Sequence, residues 1–432
     1  VTEDRIAVHW FRRDLRLKDN ASLYHALNSG WPVLCIFIFD TNILKLLETG
    51  DARVSFIHEA LCLIKEALEK KSSTLLVARG VPEEVFASIL SEFPVGEVHA
   101  NRDYEPYAAA RDARIASLLN KAGVPFLTHK DQCIFEPGEI RKDNGDPYTV
   151  FTPYFRRWQK TLDEFSFRAF PSEQKLSLLW KTRPRAMPSL TELGFVRASI
   201  PVPSPVPKIQ TRIIETYGRT RNDPGIQGTT RLGVHLRFGT ISIRAAARAA
   251  SNQVFLSELA WRDFFMMILH EFPHSADRAF KPQYDRISWR DDAEGFRAWC
   301  EGRTGYPLVD AGMRELAQTG FMHNRVRMVA ASFLCKHLLI DWRKGERWFA
   351  GKLLDFDLSA NAGNWQWAAG SGCDAAPYFR IFNPQAQEKK FDPERLYIGK
   401  WLSPADLAQK PIVEHGYARE RCLSEYKRAL QT

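Results

Sequence analysis

The chain has 432 residues, 45% of them hydrophobic and 26% charged, with 60 Lys and Arg against 51 Asp and Glu for a formal net charge of +9. This length predicts two domains, each burying its own core, and the hydrophobic share reads as a soluble globular protein. No apolar run approaches the roughly 18 residues that span a bilayer, residues 1–15 read as a strand and charged loop rather than a signal peptide, and a cytoplasmic protein is the simplest reading. The basic excess favours a polyanionic partner through counterion release. The 7 cysteines, Cys35, Cys62, Cys133, Cys300, Cys335, Cys373 and Cys422, are scattered without metal-ligand or disulfide-framework spacing, so no metal is expected.

In chain order, residues 6–11 and 32–40 read as strands, 53–70 as a helix, and 73–78, 97–102 and 125–130 as further strands, separated by helices over 83–93 and 108–122. Alternating strands and helices predict a doubly wound parallel sheet. No GxGxxG follows the first strand, which argues against an ordinary dinucleotide-dependent dehydrogenase. The proline-rich SIPVPSPVPK over 199–208 marks a boundary. From about Thr211 the chain reads as helices, so the expected division is an α/β domain over 1–130, a connector over 131–208 and an all-helical domain over 209–432.

Residues 355–384, DFDLSANAGNWQWAAGSGCDAAPYFRIFNP, concentrate carboxylates, amides, two tryptophans and an arginine in one short segment. Trp365 and Trp367 flank Gln366, so on a helix they project about 200° apart and cannot share one buried stripe. Large aromatics are usually core, yet the chain has 12 Trp, and indole suits both base stacking and one-electron chemistry. Composition leaves these alternatives open.

GNWQWAAG followed by DAAPYFRIFNP resembles the flavin-binding segment of the DNA photolyase and cryptochrome family. VHWFRRDLRLKDN (8–20), GTTRL (228–232), ELAWRDFF (258–265), TGYPLVDAGMREL (304–316) and MHNRVRM (322–328) resemble it too, in the family's order and over nearly the whole chain. The closest resemblance is to class I cyclobutane pyrimidine dimer (CPD) photolyases. It implies an α/β N-terminal domain and an all-helical C-terminal FAD-binding domain, FAD active in its reduced form, UV-damaged DNA as partner, a monomer, and repair by electron transfer to a flipped-out dimer.

By the same resemblance Tyr217, Thr229, Thr230, Arg231, Leu232, Phe255, Arg327, Asp355, Phe356, Asp357 and Asn361 hold the cofactor. Hydroxyls and backbone NH groups at a helix start bind phosphates, although Gly233 stands where relatives often have Ser. An Arg327 and Asp355 pair also reads as a plain structural ion pair. Asn361 is at the position facing flavin N5, where plant-type cryptochromes have Asp. Trp365, Trp342 and Trp289 fall at the positions of the family's electron-transfer triad. Trp261, Trp367 and Met328 resemble the walls against a flipped dimer, and Glu258 the residue that hydrogen-bonds its carbonyl. Arg221, Arg262, Arg325 and Arg380, with Asn324 and Gln387, are the expected DNA contacts.

His323 is the one histidine near Met328, where (6-4) photolyases have several, so the expected substrate is the cyclobutane dimer. Ala108 replaces the glutamate of folate-binding relatives. A second, antenna chromophore of unknown identity is left open, with Arg53, Phe56 and Asp103 as candidate lining. The rival readings are a cryptochrome-like photoreceptor, (6-4) repair, and a flavin-independent single-strand DNA-binding protein.

Overall fold

The computed structural model describes residues 5–431. They form two compact units that interleave along the chain. The first takes the residues up to Glu136, Leu162–Ile209 and Leu232–Ala249; the second takes Pro137–Thr161, Gln210–Arg231 and the residues from Ala250 onward. The sequence-based boundaries at 130 and 208 are single cuts, whereas the structure assigns part of the connector to the helical unit and residues 232–249 to the α/β unit.

In the first unit β1 (Ile6–Phe11), β2 (Val33–Asp40), β3 (Leu75–Gly80), β4 (Val95–Asn101) and β5 (Phe126–His129) form a wholly parallel sheet in the order β3-β2-β1-β4-β5. β1 and β2 are buried along their whole length, as parallel strands covered on both faces are, and so they read as continuous apolar runs rather than alternating ones. The expected strands differ from the observed ones by no more than two residues at either end. The chain runs from β1 outward to β2 and β3, then returns to β4, so the carboxyl ends of β1 and β4 flank a topological switch point.

Buried charge explains why residues 232–249 belong here. Arg244 Nη2 donates to Asp131 Oδ1 at 2.7 Å and its Nε to Asp19 Oδ1 at 2.9 Å, while Arg16 Nη2 donates to Asp131 Oδ2 at 2.6 Å. All four side chains are buried. Burial by itself would raise the pKa of Asp131, but Arg16 and Arg244 hold it at about 2.

The second unit is helical. Its main members are the helices Gln253–Glu271, Pro307–Thr319, Asn324–Ser332, Trp342–Lys352, Leu358–Ala369 and His415–Gln431, with a π turn at Phe333–His337. No helix among the described residues is long and apolar enough to cross a membrane, and no group of three or more His, Cys, Asp or Glu there is arranged to hold a metal. Its largest core gathers Trp299, Leu334, Trp342, Phe349 and Trp365. The Leu358–Ala369 helix starts at Asp357, whose carboxylate accepts from Ala360 N at 3.3 Å, and stops at Gly370, left-handed at φ 87°. Two glycines set its packing distance: a Cβ on Gly345 would lie 2.2 Å from the Trp365 ring, and one on Gly363 would lie 2.3 Å from the Phe265 ring.

Replacing Arg244 by Leu strips Asp19 and Asp131 of a buried partner and is expected to destabilise the α/β unit by about 3–5 kcal/mol, read by denaturant unfolding at neutral pH. Because the folded pKa of Asp131 lies below its unfolded value near 4, its contribution is full above that value and disappears as pH falls through about 2. The deficit of Arg244→Leu relative to wild type should therefore shrink over the same acid range.

Candidate functional site

Two side chains expected at the cofactor meet directly: the rings of Tyr217 and Phe255 pack edge to face at 5.4 Å. Arg231 is held in the left-handed region at φ 52°, with its guanidinium 4.4 Å from the centre of the Phe321 ring, and Arg327 lies over the same ring at 5.6 Å. Arg327 donates through Nε to Met322 O at 2.7 Å and through Nη2 to Asp355 Oδ2 at 2.9 Å. Phe356 packs against the main core, and buried Leu232 belongs to the α/β unit while Thr229, Thr230 and Arg231 belong to the helical one.

Several polar atoms here are left wanting. Asp355 Oδ1 is buried without a hydrogen bond, and so is His323 Nε2. His323 Nδ1 accepts from Arg325 N at 3.2 Å, and burial takes its pKa down to about 4, so the ring is neutral and Nε2 carries the proton. Asn361 Nδ2 donates to Glu346 Oε1 at 2.8 Å and to Glu346 O at 3.1 Å, leaving Oδ1 as its other polar atom. Asp357 serves as a helix cap, and Ser359 Oγ donates to it. An unsatisfied buried acceptor, an unsatisfied buried donor and paired guanidiniums fit a large polar ligand with several hydrogen-bonding edges and anionic groups, as FAD is.

The residues expected at the lesion and the DNA lie on the helices Gln253–Glu271, Asn324–Ser332 and Leu358–Ala369 and on segments outside them. Trp261 is stacked face to face under Phe151 with centroids 3.6 Å apart at 9°, and Phe151 N donates to Asp374 Oδ2 at 3.1 Å. Trp367 is half-buried beside Phe382 at 6.3 Å. Met328 Sδ receives Arg325 Nη1 at 3.5 Å and Asn324 Nδ2 at 4.0 Å. Arg325 Nη2 donates to Asn222 Oδ1 at 2.6 Å, its guanidinium lies 4.4 Å over the Phe391 ring, and its buried Nε has no partner. Burial lowers the pKa of Arg325, and the charges of Arg221 and Arg380 lower it further. Arg221 Nη1 donates to Glu258 Oε1. Burial raises the pKa of Glu258 and Arg221 only partly offsets it. Arg262, on the same helix as Glu258, and Gln387, on Pro384–Phe391, are half-buried, whereas Arg380 is exposed.

Trp365 and Trp342 are fully buried and Trp289 is half-buried. Among the described residues none of the three stacks directly on another. Trp365 packs edge to face on Trp299 at 6.0 Å and on Phe349 at 5.0 Å, and Trp289 on Tyr426 at 6.1 Å. Trp299, Phe151, Phe321 and Glu346 were missed by sequence reasoning. Phe321 and Glu346 stand beside quoted or expected residues, but Phe151 lies far from any site motif.

Of the side chains considered for an antenna, Arg53 Nε donates to Asp51 Oδ1 at 2.9 Å and Arg13 pairs with Asp103 at 3.1 Å. Phe56 is fully buried and packs on Phe238 at 5.5 Å, so it is a core residue rather than pocket lining.

A DNA photolyase family model matches residues 7–174, and one described as the FAD binding domain of DNA photolyase matches 255–409. A protein named deoxyribodipyrimidine photo-lyase from Agrobacterium fabrum is 37% identical, over 98% of this chain and 98% of its own length. The crystal structure of a bacterial class III photolyase from Agrobacterium tumefaciens is similar with a TM-score of 0.88 and 33% identity, covering 100% of this chain and 99% of that one. An archaeal photolyase from Sulfolobus tokodaii, solved with two FAD molecules, is similar with a TM-score of 0.79 and 32% identity, covering 98% and 99%.

Gly363→Ala inserts a methyl group against Phe265 and is expected to cost about 1–3 kcal/mol while moving the Asn361 helix off its neighbour. Its thermal midpoint should fall and its flavin-to-protein absorbance ratio should drop; a fully loaded protein with an unchanged midpoint would contradict the packing argument.

Proposed function

The chain belongs to the DNA photolyase family, and we propose that it repairs cyclobutane pyrimidine dimers in DNA, using light and bound reduced FAD. Its family membership makes it a deoxyribodipyrimidine photo-lyase and a flavoprotein; the choice of the cyclobutane dimer and the roles of individual residues are our reading. When bound and excited by light, reduced FAD supplies the electron that opens the dimer's ring bonds and takes it back afterwards.

The protein's own work is holding and shielding. Asp355 Oδ1, with its carboxylate fixed by Arg327, would be an acceptor for the cofactor, and neutral His323 would be a donor through Nε2. Asn361, anchored through its amide nitrogen by Glu346, would have Oδ1 available as an acceptor for the cofactor's redox-active edge. Trp261 and Trp367 wall a pocket in which an extruded dimer is packed away from water, with the soft thioether of Met328 as a third wall. Phe151, tied by its backbone to Asp374, fixes the plane of Trp261. Arg221, Arg262, Arg325 and Arg380 take backbone phosphates, aided by Asn324 and Gln387. Trp365, Trp342 and Trp289 would offer indoles through which an electron from an external reductant could reach an oxidised cofactor, the reductant also restoring the outermost indole. The scarcity of histidine around Met328 favours the cyclobutane dimer over the (6-4) product.

The observation that carries this reading is Arg325, in contact with Met328 and with its buried Nε left without a partner, together with Arg221, which meets Glu258 on the helix that bears Trp261. Guanidiniums beside half-buried aromatic side chains suit a phosphate backbone with a base turned out of it.

The test is dimer reversal. Reduced protein mixed with a thymine-dimer oligonucleotide should restore thymine absorbance under blue light and not in the dark, and a (6-4) oligonucleotide should stay unrepaired. Reversal of the (6-4) lesion alone would contradict the substrate assignment. Glu258→Ala should retain FAD yet repair about tenfold less per photon, the scale of one charge-assisted hydrogen bond. Trp365→Phe should slow light-driven reduction of the oxidised cofactor while sparing repair by protein reduced beforehand, measured by flavin absorbance under steady illumination.

A further inference from the structure

Arg221 faces two demands that exclude one another. Without DNA its Nη1 donates to Glu258 Oε1, and both side chains are half-buried where the helix Thr211–Thr220 ends. The same guanidinium, like that of Arg380, acts unfavourably on the charge of Arg325, whose Nη2 is held by Asn222 beside Arg221 in the chain. Arg325 Nε is buried without a partner, so the cluster retains an unmet need for an anion even with the Glu258 pair in place. A phosphate presents two oxygens in the geometry a guanidinium fork prefers, and it competes with Glu258 for Arg221.

We propose that DNA binding transfers Arg221 from Glu258 to a backbone phosphate, and that Glu258 then takes a proton from solvent and becomes a hydrogen-bond donor to the bound dimer. The inference rests on the dimer-repair reading and adds to it a coupling between backbone recognition and the protonation of the lesion contact.

Each step follows from the site. A carboxylate only accepts hydrogen bonds, so a charged Glu258 facing a pyrimidine carbonyl would set two acceptors against each other, whereas the neutral acid donates. The groups facing Glu258 are Arg221 and Tyr217. Burial and the neighbouring Glu258 push the Tyr217 hydroxyl up to about 12, so it remains protonated and supplies no charge. Burial already disfavours the ionised form of Glu258, and Arg221 is the group that counters it. Once Arg221 is withdrawn, burial acts unopposed. On the same helix Arg262 follows Glu258 by four residues, within reach of a second phosphate on the strand. The exchange balances: the carboxylate gains one proton from water, the guanidinium keeps its charge and changes its anion, and no electron moves.

The test is a dark titration of the FAD-loaded protein with a thymine-dimer duplex, by calorimetry at neutral pH in two buffers of different ionisation enthalpy. Wild type is expected to take up about one proton per complex, and its affinity should tighten by up to about tenfold per unit of lowered pH. Glu258→Gln, which keeps shape and polarity, should bind without proton uptake and without that pH dependence. Infrared difference spectra should show a new carboxylic-acid stretch on binding in wild type and none in Glu258→Gln. Tight dimer binding with no proton uptake in wild type, or uptake unchanged in Glu258→Gln, would overturn the inference and leave the repair reading standing. Failure of the wild-type protein to bind dimer DNA at all would overturn the repair reading and this inference with it.

Discussion

The helix Leu358–Ala369 is pinned on two sides by side chains that fit only because glycine stands opposite them: Trp365 of the helix against Gly345, and Phe265 of a neighbouring helix against its own Gly363. Protein interiors are packed too densely for either contact to open by a methyl group without cost. This constraint fixes the position of one short helix, and that helix carries Asn361 and Trp365, four residues apart, on one face and Trp367 on another. Its cap at Asp357 and its left-handed stop at Gly370 set its length, so the three residues keep a fixed phase relative to one another. The residues proposed as cofactor contact, inner redox indole and substrate wall are thereby mounted on a single helix.

Around that part the electrostatics are deliberately incomplete. The α/β unit closes its buried charges among themselves, with Asp19 and Asp131 satisfied by Arg16 and Arg244. Buried polar atoms without a hydrogen bond occur in both units, His9 Nε2 and Ser73 Oγ in the first among them, and in the helical unit they include Asp355 Oδ1, His323 Nε2 and Arg325 Nε. Unmet buried polar atoms destabilise a fold, and the three on Asp355, His323 and Arg325 fit the proposed binding of a cofactor and a polyanion. Glu258 sits where the two demands meet, as the carboxylate that occupies Arg221 until a phosphate does.

Much of this was legible in the sequence because its signals are local. The parallel strands are continuous apolar runs bounded by turns, and their ends were read to within two residues. The segment around GNWQWAAG announced a site through its mixture of polar and aromatic residues, and the helix phase of Trp365 and Trp367 followed from their spacing. What was not legible depends on tertiary pairing. Nothing in residues 232–249 reveals that Arg244 will bury itself against Asp19 and Asp131, so the interleaving of the two units escaped a linear reading. Phe151 looks like any helix aromatic until it is found flat against Trp261. Trp299 reads as an ordinary core residue, yet it is the indole that packs on Trp365. The pairing of Glu258 with Arg221 joins two residues that were each expected to face DNA, and only the structure shows them facing each other.

The account's central claim is that the pocket walled by Trp261 and Trp367 receives a base lesion turned out of the duplex while the arginine cluster holds the strand. A crystal structure of the FAD-loaded protein with a duplex containing one cyclobutane dimer tests it most directly. The account expects the dimer outside the helix stack between the two indoles, Arg325 and Arg221 on phosphates flanking it, and Asn361 Oδ1 at the cofactor's redox-active edge. A dimer left stacked in the duplex, or held on another surface with Arg221 still paired to Glu258, would contradict it.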